Sequence, residues 1–120
     1  MYCPLLLGGD VDAAAERDLL SRLPVGALAS DVVLMSRQAS ALGSSPQWIE
    51  ATAAGLAIAT GGIADSQSRA MTLERWRGAG AAILDTRRDG GIELGIGTGG
   101  VRVLAMARTS RYPFVWRRSQ

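Results

Sequence analysis

Apolar residues fall in short blocks separated by stretches with helical spacing. Leu5-Leu6-Leu7 is a compact run stopped by Gly8-Gly9, as in a buried strand. Asp12 stands where its carboxylate can accept from the free N–H groups of a first helical turn. Ala15, Leu19, Leu20 and Leu23 then share one face, with Glu16, Arg17 and Asp18 largely away from it, and Pro24 and Gly26 end the helix. Residues 31–35 make a second strand, and the small polar stretch 36–45 a loop. Ser45-Pro46 opens a second helix, with Ser as cap and Pro in the first turn, where its missing N–H costs nothing. Trp48, Ile49 and Thr52 turn inward and Gly55 closes it. A third strand (56–60), a second long loop (61–69) and a helix over 70–77 come next, with Leu73 and Trp76 inward and Gly78 and Gly80 at its end. Residues 81–84 are a fourth strand, and Asp89-Gly90-Gly91 a turn that needs positive φ. Strands at 92–94 and 101–107 flank glycine-rich 95–100 as a hairpin, and the tail from Arg111 adds a short strand or wraps a face.

The order β-α-β-α-β-α-β-β-β predicts one α/β domain over residues 1–120. Its strands should be mostly parallel and covered by helices, with a C-terminal antiparallel hairpin added. Met35, Met71 and Met106 lie in apolar patterns and are core candidates. The letters Gly95-Ile96-Gly97-Thr98-Gly99-Gly100 fit a dinucleotide fingerprint, but the next residues have a strand pattern where that motif needs a helix. No cofactor is expected.

Composition narrows the chemistry. The chain has no histidine and no lysine, and its one cysteine is Cys3. A zinc site would have to be built almost wholly from Asp and Glu, which zinc rarely accepts. Ser-His-Asp, Cys-His and Ser-Lys machinery is excluded for want of a base. One cysteine cannot form an internal disulfide, and a small buried apolar role suits Cys3. No apolar run approaches the roughly 18 residues of a membrane span, and the opening residues lack the basic region of a signal peptide. The chain alone is therefore expected to be soluble, without direct membrane insertion. Hydrophobic residues make up 48% of it, enough for a core, and the net charge is only +2. All thirteen basic residues are arginine. From Val101 onward Arg102, Arg108, Arg111, Arg117 and Arg118 meet no acid, which puts any attraction for a polyanion at that end.

Several segments in this order resemble a known family. Leu6-Leu7-Gly8-Gly9-Asp10 precedes an acidic, alanine-rich helix. Asp31-Val32-Val33-Leu34-Met35 runs into Ser36-Arg37-Gln38-Ala39-Ser40, and Ser44-Ser45-Pro46 opens a helix with Trp48 and Ile49. Leu73-Glu74-Arg75-Trp76-Arg77-Gly78-Ala79-Gly80 then leads to Ile83-Leu84-Asp85-Thr86-Arg87-Arg88-Asp89-Gly90. From about Pro4 to Val103 the chain resembles the C-terminal half of a metallo-β-lactamase fold, an αββα sandwich. More narrowly, it is similar to the β-lactamase-like domain of ComEC-type competence proteins, inner-membrane channels for DNA uptake. The resemblance implies that Asp10 stands at a vestigial metal position. Arg37 and Gln38 occupy the place of the family's paired histidines, and Gln67-Ser68-Arg69-Ala70 that of a later histidine segment. The half of the fold carrying the main histidine cluster is not in this chain.

A guanidinium beside a carboxylate repels a divalent cation and can pair with Asp10 instead. The family's hydrolysis is therefore expected to be lost, unless a missing segment or a partner chain completes the site. One reading is a non-catalytic, DNA-handling module of a competence protein. The other is a metal-dependent nuclease or hydrolase fragment to which Asp10 contributes a ligand. Asp10 can equally cap the following helix, and Arg37 and Gln38 can be a solvated loop or a phosphate contact. In the tail, Arg111, Tyr112, Trp116, Arg117 and Arg118 interleave aromatics with arginines, as single-strand binders do. The same letters also describe a strand with Tyr112, Phe114 and Trp116 on one buried face. A half-sandwich leaves a face or edge to cover, so DNA, self-association and the rest of a ComEC-type protein are the expected partners.

Overall fold

The computed structural model describes residues 3–61, 66–106 and 116–117. Four parallel strands lie side by side in chain order: β1 (Cys3–Leu7), β2 (Ser30–Leu34), β3 (Leu56–Ala59) and β4 (Ala82–Asp85). They are joined by α1 (Ala13–Arg22), α2 (Pro46–Thr52) and α3 (Ser66–Gly78). Each connection steps to the adjacent strand, and crossovers of one hand put every helix on the same face. The other face is covered by a second sheet. In it β5 (Ile92–Gly97) and β6 (Gly100–Met106) are antiparallel, and β7 (Trp116–Arg117) pairs with β6. The layers are helices, parallel sheet and antiparallel sheet: the α/β class with a mostly parallel sheet and a C-terminal hairpin, as the sequence predicts.

The side-chain alternation of β-strands sorts the core into two. Leu6, Val33, Ala57 and Ile83 stand in one cross-strand row and face the helices. There the small side chains of Ala57 and Ala59 leave room for the indoles of Trp48 and Trp76, which are 2% and 0% exposed. Val32, Leu56 and Ile58 face the other way and pack with Val101 and Val103 of β6. All of β3 is thus buried on both faces, so its sequence is a continuous apolar run rather than an alternation.

Local signals place most element ends. The Asp12 carboxylate accepts from Ala15 N–H at 2.9 Å, and the Ser45 hydroxyl accepts from Trp48 N–H at 3.3 Å with Pro46 in the first turn. Other expectations are corrected. Ala53, at φ 46°, ends α2 rather than Gly55. Helix α3 begins at Ser66, four residues before the sequence places it. The glycines at 95–100 do not form a long loop: β5 and β6 run on until Gly97 pairs with Gly100 around a two-residue turn. These glycines lead straight into the strand β6, so the helix that a dinucleotide site requires is not there. A helical turn, α4 (Thr86–Asp89), precedes Gly90, which takes φ 76° as its turn demands. Met35 is buried and Met106 packs on the hairpin side of the core, but Met71 is 49% exposed on α3 and is not core. Leu7 also ends its strand exposed.

The largest correction is Glu16, which is fully buried although helical spacing turns it away from the apolar face. Its carboxylate accepts from Ser44 N–H at 2.6 Å, Ser45 N–H at 2.9 Å and the Ser36 hydroxyl at 3.5 Å. Two backbone N–H groups ahead of α2 are thereby satisfied by a side chain from α1. The approach is close on every side. A Cβ on Gly43 would stand 2.5 Å from Ser36 Oγ and 3.0 Å from the Val11 carbonyl oxygen, and one on Gly8 would stand 2.8 Å from Ser36 N. Replacing Glu16 with Ala strands the two N–H groups in the interior. The expected loss is about 2–3 kcal/mol, read as a lowered urea midpoint with unchanged slope.

Candidate functional site

Parallel strands share a carboxyl edge, and the connections leaving it gather the residues that open sheets use to hold ligands. Here the edge is made of Gly8-Gly9-Asp10 after β1, the Ser36–Ala39 turn after β2, Thr60-Gly61 after β3 and Asp85 with α4 after β4. The Ser36–Ala39 turn carries three successive non-glycine residues in the left-handed region: Arg37 at φ 50°, Gln38 at 54° and Ala39 at 66°. Each such residue costs roughly 1–2 kcal/mol, so the turn persists only because its surroundings dictate it. Arg37 N–H donates to the Gly9 carbonyl at 2.7 Å, Ser40 N–H donates to the Arg37 carbonyl at 3.0 Å, and Ala39 is packed into the helix-side core.

The strongest support comes from Arg69 on α3, only 4% exposed. Its Nη1 donates to the Gln38 carbonyl at 3.1 Å and to the Thr60 carbonyl at 2.7 Å, and its Nη2 forms an ion pair with Asp85. One guanidinium therefore ties together the ends of β2, β3 and β4. The Asp85 carboxylate also accepts from Arg87 N–H at 2.9 Å, capping α4. Thr86 Oγ1 accepts from Gly61 N–H at 2.6 Å, and Ser68 Oγ accepts from Ala41 N–H at 2.8 Å. Asp89, 2% exposed, folds α4 back by accepting from Asp85 N–H at 2.9 Å. Arg88 grips the same carboxylate through Nε and Nη2, at 2.9 and 2.8 Å. That donation, with help from the Asp85 amide, holds the Asp89 carboxyl below the usual carboxylate range against the opposing effect of burial, while Asp89 raises Arg88.

The residues singled out from sequence are only partly brought together. Asp10 is exposed on its turn. It does not cap α1, since Asp12 does, and its carboxylate takes no hydrogen bond among the described residues. The expected pairing of Arg37 with that carboxylate is not formed. Arg37 Nη1 instead approaches the Asp10 backbone carbonyl at 3.4 Å, and Arg37 Nε is buried without an acceptor. The Gln38 side chain is exposed and only its carbonyl is engaged. Among the described residues no group of three or more His, Cys, Asp or Glu could hold a metal ion. Of the tail, Trp116 and Arg117 are described as backbone, opposite Val103 and Arg102. Arg111, Tyr112 and Arg118 lie outside the described residues. Arg75 is half-buried and donates at 3.4 Å to the Gly43 and Ser44 carbonyls. The resemblance marks the segment that holds Arg69, but not its buried role, because one arginine among small polar residues carries no periodic signal of its partners.

Fold and edge together define an α/β protein whose parallel sheet is backed by an antiparallel hairpin and whose carboxyl edge is organised by arginine. No family model matches the chain. No solved structure matches it either. Its sequence is similar to competence protein ComA of Neisseria gonorrhoeae, with 29% identity over 116 residues. That match takes in 95% of this chain and 16% of the relative, so the chain spans only a small part of the longer protein. No described helix is long and apolar enough to cross a membrane.

Two outcomes are expected at the edge. Arg69→Met leaves Asp85 without its cation and should cost about 3 kcal/mol. The double variant R69M/D85N should cost less than the sum of the single changes, because each single change leaves the other partner unpaired; urea titration of the four proteins measures the coupling. The second concerns pH. A carboxyl held low in the folded state contributes stability that is present above its unfolded value of about 3.9 and is lost as pH falls through the lower, folded value. The stability gap between the wild type and Asp89→Asn should therefore narrow in acid, which urea midpoints taken between about pH 5 and pH 2 would read.

Proposed function

We propose that this chain is a non-catalytic module of a ComEC-type competence protein that handles DNA during uptake, built like the C-terminal half of a metallo-β-lactamase sandwich. The observation that carries this reading is the similarity to a competence protein over 95% of the chain. The layering of helices, parallel sheet and antiparallel sheet supports the fold assignment. The strand edge supports the non-catalytic part. Where the resemblance would place imidazoles stand Arg37 and Gln38, Asp85 is already neutralised by Arg69, and Asp89 by Arg88. Arginines attract phosphates and disfavour a divalent cation. In this proposal Arg111, Tyr112, Trp116, Arg117 and Arg118 hold single-stranded DNA by pairing charge with stacking. The outer edges of the two sheets contact the rest of the parent protein or a second copy.

One observation favours the alternative of a hydrolase fragment completed elsewhere: the Asp10 carboxylate stands exposed at the strand edge with no hydrogen bond among the described residues. Both readings are tested together. Fluorescence anisotropy of a labelled single-stranded oligonucleotide should show binding that weakens steeply as salt rises, the mark of phosphate neutralisation. The same oligonucleotide incubated with manganese should stay intact. Absence of binding at low salt would overturn the DNA-handling reading. Cleavage that disappears in Asp10→Asn would replace it with the hydrolase reading.

A further inference from the structure

We propose that the Arg37 guanidinium, presented on the left-handed Ser36–Ala39 turn, is a contact for phosphoryl oxyanions, the chemistry shared by free phosphate and the nucleic-acid backbone. Its nucleic-acid form rests on the DNA-handling reading above; the oxyanion site does not.

The turn is an unfavourable conformation fixed from several sides. The Arg37 amide is held by the Gly9 carbonyl, the Gln38 carbonyl by Arg69, and Ala39 by the core. A relaxed loop would avoid three left-handed residues in a row, and conformations maintained against such resistance gather at functional sites. The effect here is to mount a half-buried arginine rigidly at the carboxyl edge of a parallel sheet.

That arginine is under-used. A guanidinium has five N–H donors, and the only side-chain hydrogen bond Arg37 makes among the described residues is the 3.4 Å approach of Nη1 to the Asp10 carbonyl. Its Nε is buried with no acceptor, which calls for a partner. Arg88 on the same edge is paired with Asp89, and Arg69, whose own Nε is likewise buried without an acceptor, has both terminal nitrogens engaged by two carbonyls and Asp85, so neither is open in the same way. Oxyanions supply several acceptors to one planar fork and make the stronger, charge-assisted kind of bond. The neighbouring Asp10 carboxylate bears on such a site with the wrong sign for an anion and the right sign for a cation. The two possibilities therefore predict opposite effects of removing it.

The test follows the Arg37 Nε–Hε resonance by nitrogen-15 NMR on the full chain at low salt, with Arg37→Gln used to assign the peak. Inorganic phosphate and a short thymidine oligonucleotide are titrated separately. Both should shift the resonance, and Asp10→Asn should tighten both by about twofold. R37Q should weaken oligonucleotide binding about five- to tenfold and lower the salt slope by about 0.7. No shift with either probe would overturn the proposal, as would loss of binding in D10N. Oligonucleotide binding unchanged in R37Q would also overturn it while leaving the DNA-handling reading standing. A shift with phosphate and no oligonucleotide binding anywhere would support the oxyanion site and overturn that reading.

Discussion

The carboxyl edge of this protein depends on one buried cation. Three parallel strands end beside one another with carbonyls and a carboxylate pointing into the same space, and the Arg69 guanidinium answers them together. A lysine could not do this as well, because an ammonium is a point charge while a guanidinium is a rigid planar fork. Burying a charge is tolerable only when its partners are in place. Here those partners are the strand ends themselves, so the cation and the edge stabilise each other. The strained turn is held by the same contact, since the Gln38 carbonyl accepts from Arg69.

A second buried charge plays the matching part on the other side of the turn. Glu16 reaches from α1 to the amides that precede α2, and Ser36, the first residue of the turn, donates to the same carboxylate. The turn is thus held between an acid from one helix and a base from another, which bonds different groups in it. This explains how an edge rich in polar atoms stays ordered without disulfide or histidine chemistry. It also explains why Gly8 and Gly43, both pressed against Ser36, leave no room for a Cβ.

Much of the fold was legible because it rests on local rules. Asp12 and Ser45-Pro46 announce helix starts, and short apolar runs mark strands. The succession of strand and helix implies parallel neighbours. What stayed hidden depends on partners distant in sequence. Glu16 looks solvent-facing when α1 is considered alone, and only the loop from residue 40 to 45 folding over it makes it interior. Arg69 gains meaning from Asp85, sixteen residues on, and from carbonyls that no sequence pattern reveals. Glycine misled twice. Those at 95–100 hid how far the strands of the predicted hairpin run on, and Gly55 suggested a helix end that Ala53 supplies. In the site, the resemblance points to Asp10, Arg37, Gln38 and the segment holding Arg69, but it reveals the burial of neither Arg69 nor Glu16.

The division of the sheet into two faces also bears on how the chain is made. The helix-facing core draws on residues 6–83 and is built from neighbouring strand–helix units, so it can assemble as those units emerge during synthesis. The opposite face, with Val32, Leu56 and Ile58, waits for Val101 and Val103. Until the hairpin arrives, a nascent chain carries a finished parallel sheet with one bare, sticky side, a surface that invites association with other chains. The hairpin is in this sense a late-closing cover, and the interval before it docks is the most vulnerable moment in the protein's biogenesis.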